Sequence, residues 1–458
     1  MKKVNLLLAA VVAASVSAPA LADYTPNAYF NGYMRAGVGV DKNGKFNGND
    51  GIAQKVGRLG NESSNYAEIG IGSDVAKIGD TVWTVNSMLR FSTENQNDWV
   101  ALNNANGNNN YKDDGQIALG QFNVTAKGLF DFDKDAVVWI GKRYYAREDI
   151  HITDDYYYDI SGNGVGVENL SLGTGKFQFA YIQRTEGGAD GHLFDARYNF
   201  PLWDGATFQI GELYTQRKNV DSLVDGDYSA DDKKFMKDNE GIFVGDLWLV
   251  KSDITKSKEI KKQKVKKSYD QLNGNVVTLE FTQGFSGGWN KTVFQWMTGA
   301  NAGSRCVQAY GNTQDGNYYR VYNFGDTKLS DNLGLQHVVQ YGYADYDDDT
   351  KFQNWQAVVR PHYQLTKMTK LVAEFGAYGQ HNEDKKGNKV HETLQKATLA
   401  YAINPDASNM WSRPEIRFFV TWLHSNESNV VNTALNDYAK TDPNTVDITV
   451  GACVEAWW

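Results

Sequence analysis

Aromatic and charged residues stand two positions apart at several points in the chain. In each of these sets the residues are an even number of positions apart: Tyr33 with Arg35, Tyr66 with Glu68, Trp457 with Glu455, and Trp411 with Arg413, Glu415 and Arg417. Residues two apart on an extended strand share a face, provided in the last case that the strand continues through Pro414. An aromatic ring can stack on the flat face of a sugar, while charged side chains bind hydroxyl groups through strong hydrogen bonds. These sets therefore suit a polyhydroxylated ligand.

The elements that carry these residues are predicted to be β-strands. Residues 447–458 alternate without a break between an apolar set and a second set that contains Asp447 and Glu455. Similar alternation covers residues 28–40, 66–71, 277–282 and 415–422, and almost no helical periodicity follows residue 22. A period of two is the mark of strands with two unlike faces. We expect an all-β fold.

The N-terminus predicts export from the cytoplasm. Lys2 and Lys3 precede an apolar run over residues 4–16, and Ala20-Leu21-Ala22 forms a small-x-small cleavage site. This is the arrangement of a secretory signal peptide, and the run is too short to span a bilayer as a helix. We therefore assign residues 1–22 to a signal peptide and residues 23–458 to one mature domain.

An exported chain of alternating strands is either a transmembrane β-barrel or a soluble β-sandwich. In a barrel, Arg35, Glu68, Arg417 and Glu455 must face the lumen, because a basic residue facing lipid at midplane costs about 2–4 kcal/mol. A sandwich would place the apolar face inward instead, and alternation by itself leaves both open. The signal peptide and the apolar last strand ending at Trp458 favour an antiparallel barrel in the outer membrane of a Gram-negative bacterium, surrounded by lipid.

Composition excludes several classes of function. The formal net charge of −9 argues against nucleic acid as a partner. The chain has only Cys306 and Cys453, which lie far apart in sequence, and we expect no disulfide. No group of residues has a recognisable catalytic or metal-ligating context, so we expect neither enzymatic activity nor a cofactor. The lysine-rich stretch 251–267 reads as a solvated loop.

One long segment resembles a known family. Residues 139–162, WIGKRYYAREDIHITDDYYYDISG, closely resemble a stretch of the maltoporin family of sugar-specific outer-membrane porins. Shorter matches follow in the same order along the chain: Gly32-Tyr33-x-Arg35, residues 58–62, Tyr66-Ala67-Glu68, residues 96–99, residues 411–417 and Trp457-Trp458. The resemblance is dense in the first third and the last fifth of the chain.

The resemblance implies a homotrimer of barrels with about 18 strands each and a loop folded inward as a constriction. It implies passage of maltose and maltooligosaccharides along an aromatic path of Trp99, Tyr66, Tyr33, Trp457 and Trp411, with Trp99 acting in a neighbouring subunit. It also implies a polar track and constriction of Arg35, Arg58, Glu68, Arg147, Asp149, Asp154 and Tyr156.

Two alternatives concern these residues. Tyr and Trp in barrels often form girdles at the lipid interface, and Arg147, Asp149 and Asp154 could create a transverse field without sugar specificity. The family has an additional phenylalanine on its aromatic path, and that position is Thr292 in this sequence. Phe294 or Trp296 could take the place of the missing phenylalanine. A porin for β-glucosides or sucrose, a general diffusion porin, and a secreted enzyme or lectin also remain open.

Overall fold

The structure is a computed structural model of the chain. It describes residues 26–41, 44, 50–62, 65–93, 116–186, 189–217, 241–244, 247–250, 262–264, 272–285, 287–307, 315–427 and 444–458. The predicted signal peptide at residues 1–22 and Trp99 lie outside the described residues, as does most of the lysine-rich stretch 251–267.

The alternating segments form long strands. They are β1 (Asn27–Val40), β2 (Asn65–Ile78), β3 (Thr81–Thr93), β4 (Gln116–Lys127), β5 (Val137–Arg143), β8 (Gly162–Leu172), β9 (Gly175–Glu186), β10 (Ala189–Trp203), β11 (Ala206–Arg217), β15 (Leu272–Phe285), β16 (Gly288–Thr298), β17 (Gly316–Lys328), β18 (Leu333–Tyr346), β19 (Lys351–Gln364), β20 (Thr369–Glu383), β21 (Lys389–Ile403), β22 (Glu415–Glu427) and β23 (Asn444–Trp457). Short strands lie between them: β6 (Glu148–Ile150), β7 (Asp155–Tyr158), β12 (Gly241–Val244), β13 (Leu247–Val250) and β14 (Lys262–Lys264). The described helices are α1 (Asp50–Val56) and a 3₁₀ turn (Gly299–Asn301). None of the described helices is long and apolar enough to cross a membrane.

The eighteen long strands of the described chain form one closed antiparallel sheet. Each long strand pairs with the long strand before it and the one after it, and β1 closes the ring by pairing with both β2 and β23. At the closure, Tyr33 lies opposite Glu68 on one side and Trp457 on the other. The predicted all-β, 18-stranded antiparallel barrel is confirmed.

The charged residues that the sequence analysis assigns to the lumen point into the barrel. On β22, Glu415 and Arg417 are 3% and 4% exposed, whereas Ile416 and Phe418, which alternate with them, are 45% and 52% exposed. Glu68 and Glu455 are likewise buried within the barrel. A soluble sandwich would show the opposite arrangement, so the outer wall is the apolar one.

The two ends of the barrel differ in their connections. One end, the turn end, carries the shorter connections, such as residues 79–80, 204–205 and 365–368. The other, the loop end, carries the longest ones: residues 41–64, 94–115, 144–161, 218–271, 299–315 and 428–443. Outer-membrane barrels have short periplasmic turns and long extracellular loops, which makes the loop end the extracellular one.

Residues 144–161, which we call the inner segment, run through the interior of the barrel. Within this segment, Tyr144 bonds Glu68 of β2, Tyr145 bonds Asp195 of β10, and the carbonyls of Tyr157 and Ile152 accept from Arg320 of β17 and Arg360 of β19. These strands lie on different sides of the ring, so only a chain inside the barrel can reach all of them. Ile150, Ile152 and Ile160 anchor it in an apolar cluster. The expected inward-folded constriction is present.

Helix α1 also lies inside the barrel and orients the residues that follow it. Ile52 and Val56 pack with Tyr378 and Leu423 of the inner wall. Gly57 ends the helix with a φ of +97°, and a Cβ there would collide with the carboxylate of Glu374. Glycine tolerates this backbone conformation and this close approach. The chain can therefore turn sharply into Arg58 and Glu62.

Candidate functional site

Three aromatic residues form a row across the ring closure. Tyr33 on β1 has Trp457 on β23 as its register partner. The ring centroids of Tyr33 and Tyr66, the latter on β2, are 6.0 Å apart at an interplanar angle of 57°. All three side chains are half-buried on the inner wall. Neighbouring strands thus place side by side three rings that are distant in sequence.

His151 of the inner segment extends this row toward the turn end. Its imidazole centroid lies 5.0 Å from the ring of Trp411 and 5.9 Å from that of Trp457. The guanidinium of Arg413 lies over the ring of Trp457, 4.2 Å from its centroid. The sequence analysis assigns His151 no role, and nothing in its local pattern signals one, because Trp411 and Trp457 are far from it in the chain.

Trp411 reaches the lumen by a route that parity does not describe. β22 begins only at Glu415, so Trp411 lies in the connection before the strand. The condition that the strand runs unbroken through Pro414 is therefore not met. Its side chain nevertheless points inward: the indole Nε1 donates to Asp326 Oδ2 at 2.7 Å. The indole Nε1 of Trp289 donates to the same oxygen at 2.9 Å. One carboxylate therefore joins two indoles.

Trp289 is an inner aromatic residue that the sequence reasoning missed. On β16, Val293, Gln295 and Met297 are fully buried, and Trp289 shares their parity. Thr292 has the opposite parity, as do Phe294 and Trp296, which are 40% and 41% exposed on the outer wall. Phe294 and Trp296, which the sequence left open as substitutes for the aromatic at Thr292, therefore face away from the lumen. Parity along β16 could have found Trp289, three residues earlier.

Arg35 and Arg58 connect the aromatic row to two carboxylates. Arg35 Nη1 lies 2.8 Å from Glu62 Oε1 and 2.6 Å from Asp154 Oδ2 of the inner segment. Arg58 Nη2 contacts the same Glu62 oxygen at 2.6 Å and donates to the Tyr33 hydroxyl at 2.9 Å. These predicted site residues, which lie in β1, the turn after α1 and the inner segment, meet at one point.

Glu455 is the centre of the charged cluster. Its carboxylate lies 2.9 Å from Arg58 Nη2, 2.7 Å from Arg413 Nη2 and 2.8 Å from Arg417 Nη2. His151 Nε2 is 3.4 Å away. Three guanidinium groups around one buried carboxylate fix each other's geometry, since charge-assisted pairs are short and directional. Glu455 was predicted only to face the lumen, and its parity with Trp457 was the available signal.

Glu68, Arg147 and Tyr156 are linked through Tyr144. The Tyr144 hydroxyl donates to Glu68 Oε1 at 2.9 Å. The Arg147 guanidinium lies between two rings, 4.5 Å from the centroid of Tyr144 and 4.2 Å from that of Tyr156. Arg147 is also 3.9 Å from the carboxylate of Asp159. This stack belongs to the inner segment and therefore narrows the lumen.

The two predicted aspartates of the inner segment differ in protonation. The Asp149 side chain is open to the lumen, yet the surrounding protein and then the negative charge of Asp154 raise the pKa of Asp149 to about 7. Burial opposes ionisation of Asp154, but the positive charges of Arg58 and Arg35 outweigh it and lower the pKa of Asp154. Burial also lowers the pKa of His151 to about 4. At neutral pH the histidine is therefore uncharged.

The chain is similar to known proteins over almost its whole length. The family model described as LamB porin matches residues 28–458. Maltoporin 1 of Klebsiella pneumoniae is 32% identical over 99% of this chain and 97% of its own length. Maltoporin of Photobacterium profundum is 32% identical over 94% of this chain and 93% of its own, and Maltoporin of Vibrio cholerae is 32% identical over the full length of both.

Proposed function

Because the chain belongs to the LamB porin family, we propose that it is a passive, sugar-selective channel of the outer membrane. Maltose and maltooligosaccharides are the proposed sugars, and diffusion follows the concentration gradient without a catalysed reaction. The observation that carries this proposal is the row of inner aromatic rings beside a cluster of paired charges, inside a barrel with an apolar outer wall.

The aromatic row suits the apolar faces of a chain of sugar units. We propose a path past Tyr66, Tyr33, Trp457, Trp411 and Trp289, which follows their order from the loop end to the turn end. Aromatic rings offer a large contact area with little loss of side-chain freedom. A sugar can leave one ring while it gains the next, so no step requires a fully detached state.

The charged cluster suits the hydroxyl groups along the edge of the sugar. We assign this polar track to Arg35, Arg58, Glu68 and Asp154, with Arg147, Asp149 and Tyr156 at the constriction. The ion pairs of Arg58 with Glu62 and Glu455 hold the guanidinium in place before a sugar arrives. Preorganised donors bind without an added cost of ordering.

Binding in such a channel must be weak enough to release the sugar. A free energy of about −4 to −6 kcal/mol, or millimolar to sub-millimolar affinity, suits passive diffusion. The paired charges also favour neutral ligands, because an ionic ligand would have to compete with the existing partners.

We further propose that the channel assembles as a homotrimer in which Trp99 serves the path of a neighbouring subunit. The family resemblance supports this role of Trp99. Of the described rings on the proposed path, Tyr66 lies nearest the loop end. An additional ring there would begin the path at the mouth.

Current block in planar lipid bilayers tests the proposal. We expect maltohexaose to interrupt the ion current of single channels in a concentration-dependent manner. A general diffusion porin would conduct ions without sugar block. Liposome swelling with maltose, sucrose and β-glucosides then ranks the sugars by their rate of entry. If sucrose or β-glucosides enter faster than maltose, that sugar replaces maltose as the proposed substrate.

A further inference from the structure

A recess separate from the aromatic row opens inside the barrel near the loop end. It has a volume of about 390 Å³ and is partly open to the lumen. Its lining comes from β17, β18, β19 and β20, with the end of α1 and residues near Gly303 completing it. Ligand pockets commonly measure ~300–1,000 Å³, so this recess lies within the lower part of the range in which small ligands bind.

Helix α1 and the turn after it separate the recess from the aromatic row. Lys55, in the last turn of the helix, lines the recess, and its Nζ lies 4.8 Å from the ring centroid of Tyr378. Arg58, three residues later, contacts Tyr33 and Glu455 on the row side instead. The recess is therefore a different place in the barrel from the proposed sugar path.

An inward aromatic ring is available in the recess. Phe352 lies on the inward face of β19, near the loop end, and is half-buried. Its centroid is 6.4 Å from that of the buried Tyr318, and the two rings are tilted by 45°. An aromatic side chain held in this way by a second ring is a suitable stacking surface for a sugar.

Amide side chains provide the polar part of the recess. Gln340 Nε2 donates to Asn354 Oδ1 at 3.2 Å, and Gln356 Nε2 donates to the Lys55 carbonyl at 2.7 Å. The Tyr378 hydroxyl donates to Gln380 Oε1 at 2.7 Å. Amides both donate and accept hydrogen bonds, as sugar hydroxyl groups do.

Two of the three cationic side chains that line the recess, Lys55 and Arg305, lie beside a carboxylate. Lys55 Nζ is 3.0 Å from Glu392 Oε1, and Arg305 Nε is 3.0 Å from Asp155 Oδ1. Arg320 is buried and donates to the carbonyls of Arg305 and Tyr157 and to Gln295. This compensation favours a neutral hydroxylated ligand over an ion.

We propose that this recess is a second carbohydrate site, which holds a neutral oligosaccharide at the entrance before it reaches the aromatic row. The inference rests on the proposed function, because it concerns the same class of ligand. Capture at the entrance raises the rate at which sugar enters from the loop end. It does not change how long a sugar stays on the row.

Single-channel kinetics test the site in the full-length protein. Maltohexaose is added to one side of a single channel and then to the other, so the two mouths are compared within one molecule. For the wild type we expect the association rates from the two sides to differ. Phe352→Ala should lower the faster rate about threefold, the size expected for one lost aromatic contact, with the slower rate and the dwell time unchanged.

Two further variants complete the design. Gln380→Leu, which removes an amide at similar volume, should act in the same direction, and it replaces Phe352→Ala if that variant fails to assemble. Trp355→Ala is the matched control, since Trp355 lies on the same strand but faces outward with 43% exposure. Unchanged association rates in both recess variants, or a changed dwell time, would overturn the second site. Sugar block of the wild type would still support the channel in that case. Absence of block in the wild type would remove both.

Discussion

Trp411 and Trp289 are held by the same atom. Their indole N–H groups donate to Asp326 Oδ2 at 2.7 and 2.9 Å, although Trp411 lies in a connection and Trp289 near the start of β16. A shared acceptor fixes the orientation of both rings and brings the end of the proposed path onto one carboxylate. The path is thereby continued toward the turn end by a residue that was not in the predicted set.

Asp326→Ala should shorten the residence of maltohexaose in the channel. Two hydrogen bonds to a carboxylate are lost and both indoles gain freedom, so we expect sugar binding to weaken by about 1–2 kcal/mol. Asp326→Asn keeps an acceptor oxygen and should lose less. Current-noise analysis of sugar block measures the effect, and equal residence times in all three proteins would contradict a positioning role for Asp326.

Trp289→Ala and Trp296→Ala form a matched pair on one strand. Loss of the inward ring should weaken sugar block by about 1 kcal/mol. Loss of the outward ring should leave sugar block as in the wild type, because Trp296 lies on the outer face of the wall. Titration of block with maltohexaose distinguishes them. The assignment of Trp289 to the path fails if the two variants behave alike.

Tyr66→Ala and Trp411→Ala should each weaken sugar block by about 1 kcal/mol or more. Ion conductance should be little reduced, since neither change adds a charge or narrows the lumen. Block and unitary conductance are measured on the same channels. Wild-type block in both variants would argue against the aromatic row as the sugar path.

Asp149 should make ion selectivity depend on pH. Since the pKa of Asp149 is raised from its ordinary value to about 7, its negative charge is present above that pH and is lost as the pH falls through it. The ion selectivity should therefore shift toward anions between pH 8 and pH 5. His151 stays neutral over this range, because its pKa is lowered to about 4.

Reversal potentials in a salt gradient measure this selectivity. In Asp149→Asn the ion selectivity should already be shifted toward anions at pH 8 and should change little with pH. A pH dependence as large as that of the wild type would assign the titration to another group.

Val420→Arg should destabilise the folded barrel in lipid. Val420 is 43% exposed near the middle of β22, on the wall that faces hydrocarbon. An arginine at that depth costs about 2–4 kcal/mol, whereas the control Val420→Leu should cost little. Denaturant titration in liposomes measures the free energy of unfolding. An unchanged value for Val420→Arg would contradict the sidedness of the barrel.

The sequence by itself determined the strands and the direction of their faces. Alternation is a local property with a period of two, so it placed Glu415 and Arg417 on one face without knowledge of any neighbour. The signal peptide and the apolar last strand then favoured the lumen as the side that this face lines. The same rule applied to β16 distinguishes Trp289 from Trp296. The family resemblance added the order of the aromatic path and the inward loop.

Only the tertiary structure decided which residues meet. The contacts of His151 with Trp411 and Trp457, and the shared acceptor of Trp411 and Trp289, join elements far apart in the chain. Such contacts depend on strand register, on closure of the ring and on the course of the inner segment. Those features are set by long-range packing, which a period of two does not encode.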